Sequence, residues 1–393
     1  MLQSIKGTLT QLGRRSVAPD QRQAHETRVV PSREDLAYQE HVLQGVSRTF
    51  ALTIPQLPKR LASVVSNAYL LCRIADTIED EATLSREQKE AFSDQFIRVV
   101  EGQSSTEGFA TSLFSVLSER TLAAERDLIK HAPQVLRITH SYNPGQRRAL
   151  ARCIRIMARG MAQYQKKGTR AGLEDLAALN EYCYCVAGVV GEMLTELFCD
   201  YSEEIKDQRE EMLRLAVSFG QGLQMTNILK DVWEDHARGA CWLPRDVFHR
   251  GQLDLGQLPQ ERNNPEFALG IAELIGIARR HLANALSYTL KIPKREKGIR
   301  KFCLWALGMA VLTLRKIHRH KRYRSGQEVK ITRVSVKATI ILSNLLVSFD
   351  SLLKLLFNIM VRDFPAEAID EEMAKLNVCS DLRSEGDSPG EKG

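Results

Sequence analysis

Apolar residues recur every three or four positions along most of the chain, and Pro, Gly or clusters of small polar residues separate the segments with this spacing. Ser32 precedes Arg33-Glu34-Asp35 and predicts the cap of a first helix. Pro55 and Pro58 interrupt the pattern before a second helix from about 59 to 80. Further helices are predicted over 85–102, 108–119, 120–140, 146–166, 173–199, 204–235, 244–250, 265–290, 298–320 and 331–360. The pattern therefore predicts an all-α protein.

The composition of the two ends differs from that of the rest. Residues 1–30 are polar, basic and short of large hydrophobic residues, which predicts a flexible N-terminal tail, and 366–393 predict a second flexible tail. No convincing linker divides the segment between them, so we expect one all-α domain over 31–365. Gly188 and Gly191 lie inside one predicted helix, where each costs about 1 kcal/mol relative to Ala. Either close helix packing or a ligand needs the space that they leave.

The last predicted helix is strongly apolar. Lys337, Asn344, Asp350 and Lys354 interrupt its apolar run, which never reaches the length of about 18 residues that a membrane span needs. The pattern predicts a buried or membrane-surface helix. The N-terminus has no uninterrupted apolar segment, so no signal peptide is expected.

The bulk composition narrows the classes of function. With 393 residues, 44% of them hydrophobic, the chain can bury a large core. The net charge of +7 suits an anionic partner, such as a phosphorylated metabolite or an anionic membrane. No pattern of a nucleic-acid-binding motif is present, so nucleic acid is not expected as a partner. The eight cysteines form no CxxC pair, and a reducing compartment, hence a cytoplasmic location, is the simplest interpretation.

Two acidic clusters with the same spacing lie far apart in the chain. The first consists of Asp76, Glu79 and Asp80. The second consists of Asp231, Glu234 and Asp235. On a helix, carboxylates at i and i+4 share one face, and one such cluster alone can equally be a solvated helix end. Two such faces that meet across a bundle can hold Mg²⁺, which would neutralise a diphosphate leaving group.

Basic and aromatic residues accompany the clusters. The basic candidates for contact with phosphate are Arg48, Arg73 and Lys230, although each can equally balance a nearby carboxylate. The aromatic candidates for stabilising a carbocation are Phe50, Tyr69, Tyr182 and Phe302, each of which can also simply pack in the core. An apolar interior beyond the metals would suit a long hydrocarbon chain and would exclude water.

Four segments, in this order, resemble the squalene/phytoene synthases, the head-to-head prenyl transferases, over roughly residues 35–345. They are Ser47-Arg48-Thr49-Phe50, Tyr69…Arg73…Asp76-Thr-Ile-Glu79-Asp80, Tyr182-Cys-Tyr-Cys-Val186-Ala187-Gly188-Val-Val-Gly191 and Gln224-Met-Thr-Asn227-Ile-Leu-Lys230-Asp231-Val-Trp-Glu234-Asp235. Further on, residues 302–314 resemble the FCxxPxxMAxxTL segment of the squalene synthase branch, and 329–333 resemble its VKIR segment. This ordered set is far more specific than either acidic cluster alone.

The resemblance implies a single large helical bundle of the isoprenoid synthase type with a central apolar cavity. It implies that two farnesyl diphosphates join through presqualene diphosphate, and that a hydride from NADPH completes squalene. The implied Mg²⁺ ligands are Asp76, Asp80, Asp231 and Asp235, supported by Glu79 and Glu234. The implied catalytic residues are Tyr69, Arg73, Tyr182 for proton transfer and cation stabilisation, and Phe302 in the pocket of the second step.

The resemblance also implies a set of contacts for substrate and cofactor. The substrate contacts are Ser47, Arg48, Phe50, Val186, Ala187, Gly191, Gln224, Asn227 and Lys230. No Gly-rich dinucleotide fingerprint is present, so any NADPH site must come from helices and loops. Lys330 and Arg333 are the candidate contacts for its phosphates. Peripheral membrane contact is also expected, since both substrate and product are lipids.

Three departures from the family pattern matter. Ala240 follows Gly239 where the family carries Arg, so Arg238 or Arg245 would have to supply the phosphate contact of this loop. Ala306 replaces the proline of the FCxxP segment. Thr332 stands where the VKIR segment has its arginine.

Two alternatives stay open. One is a phytoene- or dehydrosqualene-type synthase that needs no reductant. The other is a non-catalytic relative that acts as a scaffold, which should have lost carboxylates, whereas both acidic clusters are intact here.

Overall fold

The computed structural model describes residues 30–365, apart from 48, 168–169, 250–252 and 262. Both predicted tails therefore lie outside the described residues, except for Val30. Within the described part the regular structure is helical, and one isolated bridge joins Leu173 to Pro244. The all-α prediction is confirmed.

The described α-helices are numbered in chain order. They are α1 (Arg33–Val46), α2 (Phe50–Thr53), α3 (Lys59–Asp80), α4 (Arg86–Val100), α5 (Thr106–Val116), α6 (Ala123–Lys130), α7 (Ala132–Ser141), α8 (Pro144–Lys167), α9 (Leu176–Cys183), α10 (Val189–Tyr201), α11 (Glu203–Lys206), α12 (Arg209–Ala237), α13 (Arg245–His249), α14 (Leu258–Glu261), α15 (Pro265–Lys291), α16 (Lys297–Arg319), α17 (Gly326–Val329), α18 (Arg333–Leu346) and α19 (Asp350–Val361). Short 3-10 turns cover Ile54–Gln56 and Leu255–Gln257, and a π-helical turn covers Tyr184–Gly188.

The predicted start signals act as expected. The Asp35 backbone N–H donates to the Ser32 hydroxyl, and the Ser32 N–H donates to the Asp35 carboxylate, both at 3.0 Å. This reciprocal cap satisfies two N–H groups that would otherwise lack partners at the start of α1. Pro58 caps α3, which spans Lys59–Asp80 as the spacing predicts.

Three of the predicted helices are wrong, because each is two helices in the structure. One of them, 204–235, divides into the short α11 and the long α12. The segment 120–140 breaks at His131, since Pro133 has no N–H to continue the helix and instead occupies its usual place in the first turn of α7. The segment 331–360 breaks between α18 and α19. There the Asp350 carboxylate accepts a bond from the fully buried Arg300 guanidinium of α16, which fixes the start of α19.

The segment predicted as one helix over 173–199 is α9 and α10 joined by the π-helical turn. A Cβ atom on Gly191 would lie 2.3 Å from the Ala216 carbonyl oxygen of α12, and one on Gly220 would lie 2.2 Å from that of Ala187. Close approach of α12 to α10 and to the π-helical turn therefore requires both glycines.

The long helices surround the interior of the protein. α12 packs chiefly against α15 and also against α10 and α16, while α3 and α8 pack against each other and against α10. One cluster of buried side chains extends from Val42 to Phe364, and the expectation of a single domain stays a prediction. The acidic clusters end α3 and α12.

Among the described residues, the segments Lys59–Asp80 and Leu176–Tyr201 are long and apolar enough to cross a membrane. However, 67% and 72% of their most apolar stretches are buried inside the protein. Both are therefore better explained as core helices of the bundle.

Candidate active site

A cavity of about 1280 Å³ lies among α3, α8, α10, α12 and α16. Apolar side chains from these helices cover much of its wall, among them Val65, Met157, Leu194, Phe219 and Leu223. The same cavity also receives carboxylates from α3 and α12. It combines a hydrocarbon-like interior with a concentrated group of negative charges.

The acidic clusters meet at this cavity although they are far apart in the chain. The carboxylates that line it are Asp76, Glu79, Asp80, Asp231 and Asp235. They come together because α3 and α12 bring their last turns to the same space. The structure thus places five of the six predicted acidic ligands together.

Glu234 is the exception, since it is not among the residues that line the cavity. One of its carboxylate oxygens accepts a bond of 2.9 Å from the Gly326 N–H of α17. The second oxygen is buried without a hydrogen-bond partner. Glu234 thus joins α12 to α17, and its predicted support of a metal site stays a prediction.

The crowded carboxylates shift one another's titration. Burial, together with the charges of Asp76 and Asp80, raises the pKa of Glu79 to about 8. Burial raises the pKa of Asp76 to about 6, against the opposing effect of Arg73. Burial also raises the pKa of Asp235, and Asp80 on the other helix adds to that rise. Because Asp80 acts on Asp235 across the cavity, the two clusters form one electrostatic site.

These residues fit a bound Mg²⁺ ion. Within the part of the chain that the structure describes, no three His, Cys, Asp or Glu side chains lie so that they could hold a metal ion by themselves. Mg²⁺ does not need such a set, because it keeps several waters and is held by one or two carboxylates plus substrate phosphates. An open platform of mutually repelling carboxylates beside a large cavity has the oxygen donors and the charge that this ion requires.

The three predicted basic contacts have different positions. Arg48 lies outside the described residues. Lys230 lines the cavity, and its Nζ lies 3.0 Å from an Asp231 carboxylate oxygen. Arg73 does not line the cavity, and its guanidinium donates to Asp76 at 3.2 Å and to Glu125 of α6. Arg73 therefore positions Asp76, and no pattern in the sequence indicated its second partner.

The loop after α12 supplies a cation that the sequence left undecided. Arg238 lines the cavity, and its guanidinium lies 2.5 Å from an Asp235 carboxylate oxygen. Its charge also opposes the effect of burial on the pKa of Asp80. By contrast, Arg245 is not among the cavity-lining residues and donates to the Leu173 carbonyl at 3.3 Å. Of the two arginines, only Arg238 interacts with carboxylates of both helices.

Three further basic residues line the cavity, and sequence analysis missed them. They are Arg86, Lys89 and Arg120. The Lys89 ammonium donates to the Glu79 carbonyl, which also accepts a bond of 2.9 Å from the Gln165 amide. Arg86 and Lys89 lie on α4, shortly after the first acidic cluster, and Arg120 lies in the loop before α6. None of them belongs to a motif, so only tertiary packing shows that they reach the cavity.

Aromatic side chains gather beside the acidic end. Tyr182 is buried, and its ring stacks on Trp242 with centroids 4.1 Å apart and planes inclined by 6°. Tyr164 meets Tyr182 edge-on at 5.3 Å. Trp242 is not among the aromatic residues that the sequence predicts for the site, and the stack appears only in the structure. Tyr69 and Phe50, also in the cavity lining, have ring centroids 5.0 Å apart.

The remaining predicted residues divide into two groups. Those that line the cavity are Val186, Ala187, Gly191, Gln224, Asn227 and Phe302. Ser47 does not line it, and the Ser47 hydroxyl accepts a bond of 2.9 Å from the Phe50 N–H. Lys330 and Arg333 are exposed and are not among the cavity-lining residues.

Solved structures with the same helical architecture define the class of fold. The structure of TcSQS with a bound ligand matches with a TM-score of 0.68 at 22% identity, covering 89% of this chain and 98% of that one. A dehydrosqualene synthase matches with a TM-score of 0.59 at 21% identity, covering 82% and 97%. The protein therefore has the all-α isoprenoid synthase fold.

The chain belongs to the squalene/phytoene synthase family, whose pattern it matches over residues 43–335. It is 30% identical over 270 residues to a squalene synthase of Cochliobolus lunatus, covering 68% of this chain and 62% of that relative. It is 28% identical over 317 residues to the squalene synthase of Schizosaccharomyces pombe, covering 78% and 66%. The chain thus spans somewhat less than two thirds of the length of these relatives.

Proposed function

We propose that this protein joins two molecules of farnesyl diphosphate head to head through presqualene diphosphate, and that it reduces the product to squalene with NADPH. The observation that carries the proposal is the meeting of five carboxylates from α3 and α12 at one cavity with apolar walls. The cavity volume of about 1280 Å³ exceeds the roughly 300–1000 Å³ of a site for one drug-sized ligand, which supports room for two prenyl chains.

The acidic end of the cavity is the proposed diphosphate site. Asp76 and Asp80 of α3 would hold Mg²⁺ together with Asp231 and Asp235 of α12. When bound there, the ion supplies charge neutralisation that makes diphosphate a better leaving group. Lys230, which is already in the cavity lining, would donate charge-assisted hydrogen bonds to phosphate oxygens.

The apolar part of the cavity is the proposed site for the prenyl chains and the carbocation. The stacked rings of Tyr182 and Trp242 present aromatic faces that stabilise a nearby cation. Burial raises the pKa of Tyr182 well above its ordinary value, so the phenol keeps its proton at neutral pH and acts as a donor. Phe302 and Phe198 meet edge-to-face with centroids 6.4 Å apart and wall off the hydrocarbon from water.

The reduction step is supported by the similarity to squalene synthases. Lys330 and Arg333 remain the proposed contacts for the phosphates of NADPH, and their exposure suits contact with a bound dinucleotide. Cytoplasmic location with peripheral membrane contact is also proposed. The cysteines of the described residues are all free and buried, which supports a reducing compartment.

Product analysis tests the proposal. The purified protein is incubated with farnesyl diphosphate and Mg²⁺, with and without NADPH, and the extracted lipids are identified by mass spectrometry. Squalene is expected with NADPH, and presqualene diphosphate or dehydrosqualene is expected without it. Dehydrosqualene as the main product in both incubations would replace the proposal with a dehydrosqualene-type synthase. Unchanged farnesyl diphosphate in both would favour a non-catalytic scaffold.

A further inference from the structure

Exposed large hydrophobic side chains are concentrated at the C-terminal end of the described chain. Eight of the fourteen such residues lie within 334–359, on α18, α19 and the turn between them. They are Val334, Ile341, Leu342, Leu345, Phe349, Leu352, Leu355 and Ile359. We call this set the α18–α19 apolar face. Exposed large apolar side chains gathered on neighbouring helices in this way mark a site of interaction.

The spacing shows that the exposure is a feature of the helices and not an accident of single residues. Leu352, Leu355 and Ile359 follow one another at i, i+3 and i+7 and share the outer side of α19. Leu353 and Phe357, at i and i+4, are buried on the inner side. α19 is therefore apolar on two sides, and among the described residues only the inner side has a partner.

α18 has the same character. Ser343 is its only buried residue, while Ile341 and Leu345, one turn apart, are 60% and 65% exposed. The inner contact of the helix is with α16, where a Cβ on Gly308 would lie 2.5 Å from the Thr339 methyl group. α18 is thus held against the wall helix of the cavity, with its large apolar side chains directed away from the protein.

The charges beside the apolar face are of one sign. Apart from Arg333, which is a proposed contact of NADPH, Lys337 and Lys354 are exposed on these helices. The sole carboxylate between 333 and 361 is Asp350, which is paired with Arg300 and Lys294. Helices that combine an exposed apolar stripe with cations lie in the interface of membranes that contain anionic lipid.

We propose that the α18–α19 apolar face seats this protein on the surface of an anionic phospholipid bilayer, with its leucine and isoleucine side chains among the acyl chains and its cations at the headgroups. The proposal assigns a place to the expected membrane contact, and its test does not depend on the chemistry of the cavity. A second copy of the chain and the residues after 365 are the competing occupants. The bilayer is favoured because the basic side chains beside the face complement lipid phosphates.

The position of α16 adds a reason for this placement. Phe302, Cys303 and Ala306 of α16 line the cavity, whereas the surface around Gly308 packs against α18. The proposed membrane face therefore lies behind the cavity wall that would hold hydrocarbon. An apolar substrate or product and the acyl chains of the bilayer would then be separated by the thickness of α16 and α18 alone.

Vesicle flotation of the full chain tests the proposal. The probe is large unilamellar vesicles of phosphatidylcholine, either pure or with about one third phosphatidylglycerol. Wild-type protein is expected to float with the anionic vesicles and more weakly with the neutral ones. The double variant Leu345→Glu and Leu355→Glu is expected to bind at least about 10-fold more weakly, because two side chains that insert among the acyl chains become charged. Lys337→Glu is expected to weaken binding only to anionic vesicles, by about fivefold or more.

The matched control is Leu269→Glu, which places the same charge at an apolar side chain that is 61% exposed on α15, outside the proposed face. It is expected to bind like wild type. Thermal melting by circular dichroism checks that all variants are folded. Wild-type protein that does not float overturns the proposal, as does equal loss of binding by Leu269→Glu. If wild-type protein does not float but elutes as a dimer, and the double variant elutes as a monomer, the face binds a second copy of the chain.

Discussion

Arg238 is expected to be the cation of the loop after α12 that meets the diphosphate, in the place of the arginine that the family carries at Ala240. The perturbation is Arg238→Ala. The guanidinium lies 2.5 Å from Asp235, and its charge also lowers the pKa of Asp80 against the effect of burial, so one residue acts on both acidic clusters. Mg²⁺ held by the carboxylates would neutralise their charge, and the Arg238 guanidinium would then donate its hydrogen bonds to phosphate oxygens.

The exposure of Arg238 in the structure limits the expected loss of affinity for diphosphate. A hydrogen bond to a charged group contributes about 1.5–3 kcal/mol, which is about 10- to 150-fold in affinity. The Arg238 side chain is 67% exposed, and solvent screening favours the lower end, about 10-fold weaker binding of diphosphate. An exposed ion pair contributes about 0–1 kcal/mol to folding, so the variant should remain folded.

Isothermal titration calorimetry with inorganic diphosphate, in the presence of Mg²⁺, measures the change. Arg245→Ala is the matched control, because that guanidinium bonds to the Leu173 carbonyl and is absent from the cavity lining. The control should bind diphosphate within about twofold of wild type. The reasoning fails if Arg238→Ala binds like wild type, or if Arg245→Ala loses as much.

Three further predictions concern packing, pH and the aromatic stack. Gly220→Ala would place a Cβ 2.2 Å from the Ala187 carbonyl oxygen, so urea denaturation should show a free energy of unfolding lower by about 1–3 kcal/mol. The control Gly108→Ala, whose nearest contact is at 3.5 Å, should not lower the free energy of unfolding. Burial raises the pKa of Glu79 from 4.5 to about 8, so the folded protein without metal binds a proton that the unfolded chain releases. Its free energy of unfolding should therefore fall as pH rises from about 4.5 to about 8, and Mg²⁺ should reduce the fall; a pH-independent value without metal would contradict the assignment. Trp242→Leu should lower kcat by about 2- to 30-fold with little change in KM, since its aromatic face acts on the cation; a change in KM alone would refute that role.

The sequence predicts those parts of the protein that depend on local signals. The cap at Ser32 and the prolines before α3 act through the nearest residues, and α1 and α3 begin where they predict. The prediction of one long helix over 331–360 is wrong for the opposite reason. Its break at Asp350 depends on Arg300 of another helix, and no local pattern contains that contact.

In the candidate site, too, the sequence predicts what depends on local spacing and misses what depends on tertiary packing. The spacing of each acidic cluster predicts carboxylates on one helix face, and the resemblance pairs the two clusters, as the cavity does. The sequence does not predict that Glu234 bonds to Gly326, because that depends on how α17 packs against α12. Arg120 and the ring of Trp242 reach the cavity through loops, where hydrophobic spacing carries no signal.

The account rests on the two acidic helix ends acting as one Mg²⁺–diphosphate site. Diphosphate release from farnesyl diphosphate is the direct measurement, made with Asp80→Asn, Asp231→Asn and the double variant at saturating Mg²⁺. Each single variant should lose at least about 100-fold in rate, and the double variant should be little worse, because groups that act as a unit are not additive. Melting temperatures should change little, since each carboxylate is repelled by its acidic neighbours and is also attracted by nearby cations. Wild-type rates in either single variant, with the fold intact, would contradict the account.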